Sequence, residues 1–597
     1  MCGLIGYIGK EDNVATLMHR GLLDLEYRGY DSWGIVCGDE DKDFFIKKAP
    51  GKISQANAND FLGVRGTMAI GHSRWATHGG VTEANAHPHF NRDQTIAVVH
   101  NGIIENHNEL RQFLATELGI PSAQLFRSET DTEVIPHLID YYMYTEDQTF
   151  EEAFVHAARR LEGRFAFVAM HRHEPYILAV RDGSPLVLGR GEGAYYCASD
   201  VPAFLDYTRV VGYMDDRQYA KIRSGESVIR DLDSGKKVVT EFAEVSWTKQ
   251  HASKEGHPHF MLKEIIEQGL TIDQAIRQED SELTAVARLV ATHETFFIGC
   301  GTASKMAKLG ELYMAKFGKC LTHSFVGSEF APYRSFVDKK SLLFAVSQSG
   351  ETADVLEALR EGKKKGAKIV SLLNVVGSTM NRLSDQSLFI HAGPEIAVAS
   401  TKAATAQIAV LYLLANAAGG TLADAKRTLR ALAKDIRTWL TGDFVREVHR
   451  VAEKLAKERD IYIIGRGLNA PIAYEAAIKI QEESYIHAEG FAGGELKHGP
   501  IALVDKGTWV IAFVPNDETK SEMESNIMEL RSRGARVVGV APDPNVLFDE
   551  WIATPRAGDA SPIVNIIPIQ LLAYHLAVLR GNDPDQPRNL AKSVTVK

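Results

Sequence analysis

Thr295-Phe-Phe-Ile-Gly-Cys-Gly-Thr-Ala-Ser304 decides the architecture of the second half of this chain. A short apolar run passes through a glycine-flanked turn into the helical pattern of 303–317, which is how a parallel α/β unit is written. The unit occurs twice. Glu361-Gly-Lys-Lys-Lys-Gly-Ala-Lys-Ile-Val370 and Arg531-Ser-Arg-Gly-Ala-Arg-Val-Val538 each read as a basic helix end, a capping glycine and a buried strand. The interval from Gly299 to Gly465, which close the first strand of each copy, nearly equals that from Gly366 to Gly534, the two capping glycines. Gly465-Arg-Gly-Leu-Asn-Ala470 has the look of a dinucleotide fingerprint, yet Gly299-Cys-Gly-Thr-Ala-Ser304 fills the same place in the first copy. Both are read as structural turns, with NAD binding a minor alternative.

Before residue 240 the grammar differs. Short or alternating apolar runs at 4–8, 34–37, 67–70, 95–99, 165–170, 176–180 and 186–189, some joined by turn-like segments such as 171–175, predict antiparallel hairpins in a sheet-rich α+β domain. The expected division is 2–240, a linker with connecting helices over 241–284, a first α/β domain over 285–430 and a second over 431–597. The chain has 597 residues, 45% hydrophobic and 24% charged, with a net charge of −10, an acidic balance that argues against a nucleic-acid partner. Segments 408–418 and 563–579 predict no membrane span: the first is too short, and Asn565, Pro568, Gln570 and His575 interrupt the second. Glycines and then Lys10, Glu11 and Asp12 break the first apolar residues, so no signal peptide is expected. Five cysteines (2, 37, 197, 300, 320) form no CxxC pair, which fits a reducing cytoplasm.

Two stretches carry chemistry. Removal of Met1 would put a thiol and a free α-amine on Cys2, a nucleophile and a base in one residue, because that amine has an ordinary pKa near ~8 against ~10.4 for lysine. Ser347-Gln-Ser-Gly-Glu-Thr352 lies between the apolar run 342–346 and a helix opening at Ala353. One hydroxyl suffices for a helix cap, and three beside a helix N-terminus suit a phosphomonoester held without metal. The second copy carries Pro515-Asn-Asp-Glu518 there, whose acids would repel phosphate, so the ligand is expected on the first. Histidines 72, 78, 87, 89 and 100 have no Cys or carboxylate cluster to complete a ligand set, and neither metal nor cofactor is expected.

Cys2-Gly3, Glu26-Tyr-Arg28-Gly-Tyr-Asp31-Ser32, Gly71-His-Ser-Arg74-Trp75-Ala-Thr77-His78-Gly79, Asn85-Ala-His87-Pro88, His100-Asn101-Gly102 and Ser128-Glu-Thr130-Asp131-Thr132-Glu133 resemble class II glutamine amidotransferases of the N-terminal-nucleophile fold. The two repeats resemble sugar isomerase (SIS) domains. Their order, with Val398-Ala-Ser400-Thr-Lys402, Glu495-Leu-Lys-His498-Gly-Pro500 and the tail Asp585–Val596, is similar to the amidotransferase family that makes glucosamine 6-phosphate and glutamate from fructose 6-phosphate and glutamine. The resemblance implies an αββα glutaminase domain followed by two parallel-sheet SIS domains. It implies Cys2 as nucleophile, Asn101 and Gly102 as oxyanion donors, and Arg74, Thr77, His78, Asp131 and Arg28 around the glutamine. Thr302, Ser347, Gln348, Ser349, Thr352, Val398 and Ser400 would hold the sugar phosphate. Lys592 would form a Schiff base, Glu482 would shuttle a proton with Lys479 beside it, and His498 would open the ring from a neighbouring subunit, so that the site needs a homodimer or larger assembly. Trp75 would gate an internal ammonia channel. A non-catalytic sugar-phosphate sensor and another class II amidotransferase are the alternatives; Lys592, Glu482 and His498 together speak against the first. Trp33, Ala303, Glu483 and Lys597 depart from the family pattern.

Overall fold

The computed structural model describes residues 2–10, 13–39, 43–245 and 254–595, so part of the expected linker and Lys597 lie outside it. The chain forms two compact units, residues 1–251 together with 591–597, and residues 252–590. The tail that carries Lys592 thus groups with the first unit.

In the first unit the alternating runs become two antiparallel sheets. One orders its strands Phe242–Glu244, Val210–Tyr213, Val187–Arg190, Tyr195–Ala198, Gly3–Ile8, Met68–Arg74, Ser32–Gly38 and Phe45–Pro50. The other runs Lys237–Val238, Glu226–Asp231, Gln218–Arg223, Ile177–Asp182, Gly163–His171, Ile96–Ile104 and His89–Phe90. Side chains alternate between the faces of a strand. Leu4, Val36 and Ile70 of the first sheet therefore meet Val99, Val168 and Ile177 of the second in one buried core between them. On the outer faces, Val14–Asp24 packs over Ile5 and Ile35, and Val134–Thr145 with Phe150–Arg160 packs over Val98 and Phe167. A capping box between Thr149 and Glu152 starts the last of these helices. The layers are α, β, β, α. Trp33 fills the outer core edge-on to Phe61, with ring centroids 5.8 Å apart.

The second unit holds two five-stranded parallel sheets of one topology, each with its first strand between the second and third. The first is ordered His323–Val326, Glu294–Gly299, Ser341–Val346, Lys368–Leu373, Gln386–Phe389, and the second His487–Ala492, Asp460–Gly465, Trp509–Phe513, Arg536–Ala541, Glu550–Ala553. The repeat read from the basic helix ends is real: Ala353–Lys364 and Lys520–Arg531 each lead into the fourth strand of their sheet. The helix expected over 303–317 spans Thr302–Tyr313 and widens into a π turn over Met314–Gly318. Helices Thr302–Tyr313, Lys402–Ala418, Ala470–Ser484 and Ser561–Leu579 from both repeats share a single apolar core. By length and composition Gly558–Leu579 could cross a membrane, but 89% of its apolar window is buried inside the protein. Two of the polar residues that interrupt it are partnered there: Asn565 Nδ2 donates to Asn469 Oδ1 at 2.8 Å, and Gln570 Oε1 accepts from Gln268 Nε2 at 2.8 Å.

Candidate active site

The strand Gly3–Ile8 is paired on both sides, by Tyr195–Ala198 and Met68–Arg74, and Gly3 faces Ser73. That register puts Cys2 beside the segment after Arg74. The Trp75 N–H donates to Cys2 Sγ at 3.2 Å. Asn101 Nδ2 donates to the Cys2 carbonyl at 3.0 Å, and Arg28 Nε reaches the same oxygen at 3.4 Å. Arg28 is buried and ion-paired with Asp200 at 2.9 Å, so it fixes the backbone of Cys2. Burial pushes the Cys2 thiol up, against the pull of the Trp75 N–H and the Arg74 guanidinium. A thiol in that state depends on a nearby base.

Gly102 follows Asn101 at φ +121°, and a Cβ there would lie 1.9 Å from the Arg164 carbonyl oxygen. Only glycine fits. Asp131 is buried and accepts from the Ile104 N–H at 2.8 Å. The Arg74 guanidinium donates to the carbonyls of His78, Gly79 and Gly80, which folds the loop after it back over its own side chain. Thr77 is exposed and His78 half-buried. Trp75 is also half-buried, edge-on to Tyr30 at 5.6 Å, and is therefore not a core tryptophan. Of the first-unit residues expected around glutamine, Arg28 touches Cys2, Arg74 and Asp131 act on its thiol electrostatically, and Thr77 and His78 lie in the loop folded back over Arg74.

In the second unit, Ser347 to Thr352 connects the strand Ser341–Val346 to the helix Ala353–Lys364. Ser347 Oγ accepts from Gly350 N at 3.0 Å and Ser349 Oγ from Glu351 N at 3.2 Å, while Thr352 makes no side-chain cap. Thr302 opens the helix after the neighbouring parallel strand, so both loops lie at the carboxyl end of the sheet, where open α/β sheets bind ligands. Val398 N donates to the Asp585 carbonyl at 3.1 Å, and Ser400 Oγ donates to Glu395 Oε2 at 3.3 Å. Lys402, in the same segment, is buried and paired with Glu267 at 2.8 Å.

Helix Ala470–Ser484 carries a charged cluster that sequence reasoning saw only in part. Lys479, 1% exposed, is in ion-pair contact with both Glu482 and Glu475. Burial alone would lower Lys479, but these two carboxylates outweigh it and raise its ammonium above the ordinary range. Burial lifts Glu475 to about 7 against the pull of Lys479, and Thr302 Oγ1 of the other repeat donates to it at 2.8 Å. Glu475 was not singled out, although its i,i+4 spacing from Lys479 was there to be read. His498 is exposed, in the turn Gly493–His498.

Glu483 is fully buried, and among the described residues neither of its carboxylate oxygens has a hydrogen-bond partner. Burial, reinforced by Glu482, holds its carboxyl well above the ordinary value. A raised folded-state pKa means stability present at low pH and lost as pH climbs from the unfolded carboxyl value, ~4.3, toward the folded one. Glu483→Leu is therefore expected to raise the thermal midpoint, with a larger gain at pH 8 than at pH 5. Equal gains at both pH values in a calorimetric scan would mean that Glu483 ionises freely in the native state.

Two family models match the chain: a SIS domain over residues 289–417 and 454–580, and a glutamine amidotransferase domain over 72–206. The glutamine–fructose-6-phosphate aminotransferase (isomerizing) of Thermococcus kodakarensis is 42% identical over 612 residues, covering 100% of both chains. The enzyme of the same name from Thermus thermophilus is 42% identical over 617 residues, again with 100% of each covered. Among solved structures, the C-terminal domain of glucosamine-fructose-6-phosphate aminotransferase from Francisella tularensis is 35% identical, with a TM-score of 0.51, covering 56% of this chain and 100% of that one. With the two antiparallel sheets of the first unit, the duplicated parallel sheets of the second and end-to-end relatives in agreement, the chain belongs to the glutamine–fructose-6-phosphate aminotransferase (isomerizing) family.

Proposed function

We propose that this protein is an enzyme that transfers the amide nitrogen of glutamine to fructose 6-phosphate, giving glucosamine 6-phosphate and glutamate. With Met1 removed, the Cys2 α-amine takes the thiol proton and the sulfur attacks the glutamine side-chain carbonyl, while Asn101 Nδ2 and the Gly102 N–H meet the oxyanion. Ammonia leaves, and water hydrolyses the thioester. Asp131 and Arg74 hold the α-ammonium and α-carboxylate, Arg74 turning at least one N–H away from the 78–80 carbonyls; Thr77 and His78 line the pocket. At the sugar, Ser347, Gln348, Ser349 and Thr352 hold the phosphate, with Thr302, Val398 and Ser400 around the chain of carbons. His498 opens the ring, Lys592 forms an imine at C2 that ammonia displaces, and Glu482, poised by Lys479, moves a proton from C1 to C2. The exposure of His498 supports its donation to a neighbouring copy, hence a homodimer. A cytoplasmic location goes with this reading.

The observation that carries the proposal is the packing of Cys2 Sγ against the Trp75 N–H, with an amide donor on the adjoining carbonyl. Borohydride reduction with fructose 6-phosphate is expected to attach the sugar to the C-terminal peptide of the wild type and not of Lys592→Arg; attachment elsewhere would remove the imine role. Trp75→Ala tests the channel. As a gate, its loss should leave glutamine hydrolysis measurable and lower the glucosamine 6-phosphate formed per glutamate released, because ammonia escaping to water is protonated. An unchanged ratio with a lower thermal midpoint would make Trp75 a packing residue only.

A further inference from the structure

Asn101 serves an oxyanion only while its amide nitrogen, and not its oxygen, faces Cys2. A carboxamide can turn over at little cost, so its neighbours must choose the orientation. On the side away from Cys2 lies His72, 0% exposed, in the strand Met68–Arg74. Its Nε2 is 3.0 Å from Asn101 Oδ1 and 2.8 Å from the His100 carbonyl oxygen. A carbonyl oxygen only accepts, so the network assigns the ring proton to Nε2. Burial holds His72 at about 3, which keeps the ring neutral, and Nδ1 has no hydrogen-bond partner among the described residues. Stacking on His87, with centroids 4.0 Å apart, restrains the ring plane.

A turned-over Asn101 would set its NH2 against the His72 N–H and its oxygen against the Cys2 carbonyl, now 3.0 Å from Nδ2. Both contacts would be repulsive. We propose that His72 is a positioning residue for glutamine hydrolysis: its Nε2–H pins Asn101 Oδ1 and thereby aims Asn101 Nδ2 at the oxyanion. This rests on the oxyanion role given to Asn101 above.

The test compares the full-length wild type, His72→Leu, His72→Gln, Asn101→Ala and the double variant His72→Leu/Asn101→Ala. Glutamine hydrolysis is the readout, and conversion of fructose 6-phosphate to glucose 6-phosphate reports folding. Loss of one oxyanion donor in other acyl-transfer enzymes costs about a hundredfold to a thousandfold in kcat. His72→Leu, which frees the donor to misorient without removing it, is expected to lower kcat about tenfold to a hundredfold with the glutamine KM within about twofold. His72→Gln, which keeps a side-chain N–H, should recover most of the loss. Added to Asn101→Ala, His72→Leu should cost nothing more, because two residues acting through one contact are not additive. If Asn101→Ala hydrolyses glutamine at the wild-type rate, the oxyanion role itself falls. If Asn101→Ala is slow but His72→Leu is fast, raises only KM, or multiplies the defect in the double variant, positioning by His72 is overturned and the oxyanion role stands.

Discussion

Cys2→Ala is expected to abolish glutamine hydrolysis while conversion of fructose 6-phosphate to glucose 6-phosphate persists. The thiol is the only atom group removed, and the strand that carries it is held from both sides, Gly3 opposite Ser73 and Ile5 opposite Ala198, so the sheet does not depend on the sulfur. The sugar chemistry is assigned to residues of other segments and asks nothing of Cys2. A chain that retains Met1 should be as inactive in hydrolysis as Cys2→Ala, because the amine that would take the thiol proton is then an amide, and burial leaves the thiol no easier to ionise. Intact-mass measurement sorts the two populations, and specific activity should scale with the fraction lacking Met1. Glutamate release by Cys2→Ala at a rate near that of the wild type would move the nucleophile elsewhere.

The second large effect is expected at Lys479. Its ammonium is 1% exposed between Glu475, 0% exposed, and Glu482. Removing one member of a buried ionic group leaves the others uncompensated and typically costs about 3–5 kcal/mol. Lys479→Met should lower the thermal transition of the second unit and eliminate sugar isomerisation, with hydrolysis at Cys2 retained. Part of the instability should be recovered in Lys479→Met/Glu475→Gln, where an amide replaces the stranded carboxyl and can still meet Thr302. Activity should not return with it, since Glu482 would still lack its partner. An unchanged melting transition in Lys479→Met would make the cluster catalytic without being structural.

What the sequence disclosed is what repeats locally. Apolar alternation gave the strands of the first unit, and the glycine turns gave the duplicated sheets, because both patterns are fixed by backbone geometry within a few residues. Cys2 and Ser347 stood out for the same reason, as unusual chemistry at readable positions, whereas Lys592 came only from the resemblance of the tail to its family. Apart from Glu475, one helical turn from Lys479, the partners that were missed act across long separations. Asp200 pairs with Arg28, and Asp585 accepts from the N–H groups of Phe260 and Met261 at 3.0 and 2.9 Å, capping a helix more than three hundred residues earlier. No local pattern announces such partners. Glu483 was legible as a departure, but that its buried oxygens find no hydrogen bond among the described residues depends on packing that only the fold reveals.

The helix Ser561–Leu579 has its apolar circumference covered by both repeats, so neither repeat can be cut away without uncovering part of it. Its length and hydropathy pass for those of a membrane helix, but Asn565, Gln570 and His575 along it are accommodated by the protein interior. A fragment holding only one repeat would leave part of that apolar surface in water, so the two repeats stand or fall as one folding unit.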